Sequence, residues 1–95
     1  MYNLFIAYDL VDPGQNYTAV IERIKTLGDH AHLQLSFFYV RSQYDMETAH
    51  AAVRAVMDPN DRLAVVLAQD AFISNYQPRF LTLLSSVFTQ THLQR

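Results

Sequence analysis

The chain has 95 residues, enough for one domain with a single hydrophobic core and too few for two. It contains no cysteine, so disulfides, thiolate metal sites and cysteine nucleophiles are excluded. Its net charge is −2 and its seven Lys and Arg residues are scattered singly, which argues against a broad basic surface for nucleic acid.

The first predicted element is a buried strand over residues 2–8, because nearly every position in it is apolar and the run stops at Asp9. Residues 12–14, Asp-Pro-Gly, are predicted to form a turn, since proline fixes φ and glycine admits positive φ. Asp12 is therefore better explained as a turn residue. Asp9 is equally consistent with a metal ligand at the strand end and with a residue that bonds backbone amides.

A helix follows over residues 17–27, where apolar side chains recur at helical spacing after Asn16 as a suitable N-cap. Gly28 stands where a glycine that ends a helix is expected. The next stretch is strand-like, and we divide it into strands over 31–34 and 37–41.

Two histidines in that stretch, His30 and His32, are two residues apart and would point the same way from a strand. They would make a metal site only with a third ligand, for which the spacing offers no evident residue. Ser36 lies between the two predicted strands, where a serine commonly satisfies nearby backbone groups.

The second half begins with a helix whose N-cap is Asp45 and which ends at the Asp-Pro-Asn-Asp turn of residues 58–61. A fully apolar strand is predicted over 62–68. A third helix is predicted to begin near Pro78, because proline is favoured at the first helical position and apolar residues follow at helical spacing.

The order strand, helix, strand, strand, helix, strand predicts an α+β fold, a ferredoxin-like βαββαβ domain with an antiparallel sheet over residues 1–69. Residues 70–95 are expected to form a C-terminal extension that packs on the same domain or on a dimer partner. Three strands are apolar on both faces, yet two crossover helices cover only one face. The other face is therefore expected to meet the extension or a second copy in a homodimer.

No apolar run along the chain approaches the roughly 18 residues of a membrane span. No basic region precedes the first apolar stretch, as it would in a secretory signal. A cytoplasmic location without a membrane partner is the expectation.

Three stretches carry a resemblance to a known family: YDL at 8–10, HLQLSFFYV at 32–40 and MDPNDRLAVV at 57–66. They resemble the small ferredoxin-like CRISPR-associated protein 2 family, and are more similar still to its SinR family relatives, which share a YDL-x-x-PG-x-x-Y opening. VapD toxin ribonucleases also resemble this chain in a similar pair of features. The resemblance covers roughly residues 2–68.

The resemblance implies a metal-binding or catalytic role for Asp9, which closes the first strand, with Mg²⁺ as the cation held near the two-fold axis of a dimer. It also implies an assisting role for Ser36, the serine of a Gln-x-Ser motif that begins at Gln34. The chain departs from the CRISPR-associated pattern where Phe37 and its neighbours replace an acidic residue, and where its C-terminus is predicted to be helical.

Three hypotheses follow. The first is a homodimeric nucleic-acid-processing protein, a metal-dependent endonuclease acting on RNA or DNA through Asp9 and Ser36, with Arg41 and Arg62 contacting phosphates. The second is a catalytically silent dimeric assembly or regulatory module of the same fold. The third is a dimer that senses a small molecule or a metal.

Overall fold

The computed structural model describes residues 1–11 and 17–69, together with the backbone of two short strands near the C-terminus. In chain order the elements are β1 (Tyr2–Asp9), α1 (Tyr17–Lys25), β2 (Gly28–Gln34), β3 (Phe37–Ser42), α2 (Met46–Arg54), β4 (Arg62–Leu67), β5 (Ala71–Phe72) and β6 (Leu93–Gln94). The helix predicted from Pro78 and the turn at Asp12 lie outside the described residues.

The first four strands form one antiparallel sheet in the order β2-β3-β1-β4, and β5 pairs with β6 in parallel. This order, with a helix between β1 and β2 and another between β3 and β4, confirms the α+β fold and is compatible with a ferredoxin-like domain. In the described part of the chain, neither helix has the length and apolar character needed to cross a membrane.

One face of the sheet carries the core, because alternate residues of β1 point toward both helices. The core on this face consists of Leu4, Ile6, Tyr8, Leu10, Val20, Ile24, Leu27, Phe38, Val40, Ala49 and Val53. Since α1 and α2 contribute to the same cluster, the two helices lie on the same side of the sheet, as predicted. We call this side the helical face.

The junction between α1 and β2 is shorter than the sequence predicts. Helix α1 ends at Lys25, because the amides of Thr26 and Leu27 bond to carbonyls three residues back, at 3.2 and 3.0 Å. Gly28 then begins β2 directly with φ of 153°, and a Cβ built on it would collide with the carbonyl oxygen of Arg41. The glycine is needed for close strand approach rather than for a helix cap.

Helix α2 begins as predicted. The Asp45 carboxylate accepts a hydrogen bond from the Thr48 amide at 2.8 Å, which satisfies one of the free N–H groups of the first turn. This backbone bond, together with the Thr48 side chain, lowers the pKa of Asp45 below its ordinary value.

The opposite side of the sheet, which we call the second face, is unevenly buried. Tyr39 is fully buried there, and its ring packs against that of Phe5 at a centroid distance of 5.4 Å. Phe37 is half-buried and stacks on Phe5 at 5.6 Å. On β4, by contrast, Val66 is 52% exposed. The apolar second face is therefore buried along β3 and exposed along β4.

Candidate functional site

Asp9 and Arg62 lie side by side at one end of the sheet. Asp9 is the last residue of β1 and Arg62 the first of β4, and the two are Cα partners in the antiparallel ladder. Directly opposed residues share a face, and strand alternation places this pair on the second face. Both side chains are exposed, and no ion pair joins them within the described residues. A carboxylate and a cation are thus both available to a ligand.

Ser36 is brought to the same end of the sheet by the turn between β2 and β3. The amide of Tyr8 donates to the carbonyl oxygen of Ser36 at 3.1 Å, which extends the pairing of β1 and β3 into the turn. Asp9, the next residue, therefore lies close to this turn on one side and to Arg62 on the other. The first hypothesis assigned roles to four residues. The structure brings three of them together: Asp9, Ser36 and Arg62.

Two cavities open at this strand end, and Ala7 lines both. One, of about 580 Å³, is lined among the described residues by Ala7, Gln34, Leu35, Ser36 and Phe37. The other, of about 260 Å³, is lined by Ala7, Tyr8, Asp9, Arg62, Leu63 and Ala64. We call the two cavities together the strand-end groove. The small side chain of Ala7 leaves this space beside the charged pair and the turn.

Two hydrogen bonds to the carbonyl oxygen of Leu35 hold the turn that carries Ser36. Tyr8 donates its hydroxyl to the Leu35 carbonyl oxygen at 3.1 Å, and Nε2 of His32 lies 3.0 Å from the same oxygen. Because a carbonyl only accepts, Nε2 carries the proton in this contact. The His32 ring stacks on Phe38 at 4.0 Å. Burial, with a smaller contribution from Tyr17, raises the pKa of Tyr8, so its hydroxyl remains a donor.

Asp61 joins the two chain segments that carry Asp9 and Arg62. The residue is almost buried, at 8% exposure, and its carboxylate accepts hydrogen bonds from the amides of Val11 at 2.8 Å and Asp58 at 2.9 Å. Val11 lies two residues after Asp9, and Asp61 immediately precedes Arg62. The carboxylate therefore fixes the spacing of the two loops at the mouth of the groove.

Arg54, near the end of α2, strengthens the same turn. It donates to the carbonyl oxygens of Asp58, Pro59 and Asp61 at 2.7, 2.6 and 2.8 Å. The sequence indicated a turn at 58–61, and the Asp61 amide closes it by bonding to the Asp58 carbonyl at 3.1 Å. The sequence did not indicate the hydrogen bond between the Val11 amide and the Asp61 carboxylate, because that contact spans 50 residues.

The donors for a metal ion at this end are few. Among the described residues, no group of three His, Asp or Glu side chains could hold a cation. His30 and His32 share a face of β2, as predicted, but the third ligand they need is not among the described residues. Asp9 suits Mg²⁺ in kind, since this ion binds through one or two carboxylates completed by waters and phosphate oxygens.

Arg41 lies far from this groove. It is the Cα partner of Asn3, six residues before Asp9 on β1, so about 20 Å of strand separates the two positions. The two arginines singled out in the sequence therefore occupy opposite ends of the second face.

Comparison of the chain with protein-family models finds no match, and comparisons with curated proteins and with solved structures find none either. Function therefore has to be inferred from the residues of the site itself.

Proposed function

We propose that the chain is a homodimeric nucleic-acid-processing protein that cleaves phosphodiester bonds of RNA or DNA with the help of a metal ion at Asp9. The observation that supports this most directly is the meeting of Asp9, Arg62 and Ser36 around the strand-end groove. A cation-binding carboxylate, a phosphate-binding arginine and a hydroxyl are the groups that such a reaction uses.

Each side chain has a distinct task in this proposal. Asp9 holds the hard cation, and Arg62 binds a non-bridging phosphate oxygen while its charge offsets that of the phosphate. Ser36 donates a hydrogen bond that orients the phosphate. When bound, Mg²⁺ supplies Lewis-acid polarisation of a phosphoryl oxygen and a more acidic bound water.

A second copy of the chain would complete the site. A single carboxylate beside a cationic arginine binds Mg²⁺ weakly, because Arg62 repels the ion, whereas two Asp9 carboxylates near a two-fold axis double the negative charge. On the same face as Asp9, the half-exposed side chain of Val66 on β4 is available for such a contact. A dimer interface of standard size buries about 1,200 to 2,000 Å².

The alternative is a catalytically silent dimeric module of the same fold. The net charge of −2 favours it, since a nuclease must attract a polyanion. So does the finding that no three metal-binding side chains are grouped among the described residues. In that case the strand-end groove would serve assembly or regulation.

The test is cleavage of labelled single-stranded RNA, double-stranded RNA and duplex DNA across a range of Mg²⁺ and Mn²⁺ concentrations. Asp9→Asn should preserve folding, because it is nearly isosteric, and should abolish cleavage, because the charge that holds the cation is lost. Ser36→Ala should cause a smaller loss. Chelation should imitate Asp9→Asn and be reversed by added metal.

Glu22→Gln is the matched control, since it removes an exposed carboxylate from α1 on the helical face and should cut as wild type. Sedimentation of the 11.0 kDa chain should give a dimer. If wild type cuts no substrate, or Asp9→Asn cuts equally well, the silent module replaces the enzyme.

A further inference from the structure

Arg41 has an unmet hydrogen-bonding requirement. Its side chain lies half-buried on the second face, and its Nε atom is buried without an acceptor among the described residues. A guanidinium carries a permanent positive charge and five donors in a planar fork. Buried donors in native structures almost always have a protein or water partner, so this donor points to an acceptor supplied by a bound water or a ligand.

The residue opposite Arg41 offers a second donor. Asn3 is the Cα partner of Arg41 on β1, and the Tyr39 hydroxyl donates to Asn3 Oδ1 at 2.9 Å. Because the amide oxygen accepts this bond, the amide nitrogen is left as a donor. It has no acceptor within the described residues. Two donor groups are therefore adjacent across the strands.

The Tyr39 hydroxyl holds this arrangement in place. Burial raises the pKa of Tyr39, an effect that Arg41 partly opposes and Asp29 reinforces. The phenol therefore stays protonated over the whole physiological range and remains a donor to Asn3.

The flanking carboxylate limits which anion can bind. Asp29 is the Cα partner of Arg41 on β2, but it is exposed and forms no ion pair with Arg41 among the described residues. Its negative charge disfavours a doubly charged anion more than a singly charged one. The pair Asn3 and Arg41 is thus better suited to a phosphodiester than to a phosphate dianion.

We propose that Asn3 and Arg41 form a phosphate-binding site on the second face. The bound phosphate could be a free phosphate ion or a phosphate of a nucleic-acid strand. The second of these sources rests on the proposed function. A strand held both here and at Asp9 must span about 20 Å, which corresponds to about six nucleotides of a helically stacked strand at 3.4 Å each. Short oligonucleotides would then reach only one of the two sites.

The first arm of the test uses inorganic phosphate and the ¹⁵N–¹H signal of the arginine Nε groups. The Arg41 Nε–H signal should shift saturably, and more steeply at pH 6 than at pH 8, because the monoanion is the preferred form. The Nε–H signal of Arg23, on α1, is the control and should not shift. Arg41→Lys keeps the charge but loses the planar fork, and should weaken phosphate binding.

The second arm measures binding of 4-nucleotide and 12-nucleotide single strands by fluorescence anisotropy, in the Asp9→Asn background so that nothing is cut. Arg41→Gln should weaken the 12-mer about tenfold or more, the loss expected for a charged hydrogen bond, and weaken the 4-mer less, because a 4-mer that loses Arg41 can still bind at Arg62. The salt slope for the 12-mer should fall by about 0.7. Lys25→Gln, on α1, removes the same charge and should change neither the affinity for these strands nor the salt slope.

The outcomes separate this site from the proposed function. If phosphate shifts the Arg41 signal but no strand binds, the site stands with free phosphate as its source and the proposed function fails. If strands are bound and cut while phosphate leaves the Arg41 signal unmoved and Arg41→Gln binds as its parent, the proposed function stands and this site is overturned.

Discussion

The two faces of the sheet differ in what their side chains do. The helical face is closed by α1 and α2, and its side chains, such as Phe38 and Ile24, are fully buried. The second face carries aromatic rings, fully buried at Tyr39 and half-buried elsewhere, between two polar ends. One end has Asp9 and Arg62, and the other has Asn3 and Arg41. Stability is concentrated on one face and candidate chemistry on the other, so substitutions on the two faces should separate folding from binding.

The largest expected effect is on the helical face. Phe38→Ala should reduce the free energy of unfolding by about 3–5 kcal/mol, because it leaves a cavity between the strands and helices. It also removes the ring on which His32 stacks. Denaturant titration measures the change.

The neighbouring residue on the second face is the matched comparison. Phe37 is only half-buried, so Phe37→Ala should cost about 1–2 kcal/mol. Equal losses for the two variants would contradict the division between the faces and would mean that the second face is as closely packed as the first.

A smaller effect is expected at the turn that spaces Asp9 from Arg62. Asp61→Ala should reduce stability by about 2 kcal/mol, because the amides of Val11 and Asp58 lose their acceptor in a largely buried place. Any cleavage activity should fall as well, since the two loops at the groove lose their common anchor. Thermal unfolding and the assay described above measure the two losses.

The control for Asp61 is Asp29→Ala, which removes an exposed carboxylate from the second face and should change stability by less than about 0.5 kcal/mol. A wild-type melting temperature for Asp61→Ala would show that Val11 and Asp58 find other partners.

The smallest effect concerns pH and the cap of α2. The pKa of Asp45 is lower in the folded chain than in the unfolded chain, so its contribution to stability is present above its ordinary pKa. That contribution is lost as pH falls through the folded value. Asp45→Asn can still cap the helix but cannot titrate, so its stability should vary less than that of wild type between pH 5 and about pH 2. Identical pH profiles, from thermal unfolding, would contradict a charged cap.

The local pattern predicted most of the fold. Apolar runs and helical spacing located four strands and two helices, because burial on one or both faces leaves a period in the sequence. The start of β2 was predicted three residues too late, since Gly28 is equally suited to ending a helix and to a close strand crossing. Only the position of the Arg41 carbonyl decides between these two roles of Gly28.

The candidate site was predicted less completely. The resemblance singled out Asp9 and Ser36, and position at strand ends singled out Arg41 and Arg62. Which of these residues meet depends on strand order and register, and the antiparallel ladder joins Asp9 to Arg62 while it places Arg41 at the far end. The sequence thus determined the elements and the residue types through local periodicity. The tertiary structure alone decided their grouping, the burial of Asp61 and the burial of the Arg41 Nε without an acceptor in the described part of the chain, because each depends on contacts between residues distant in the chain.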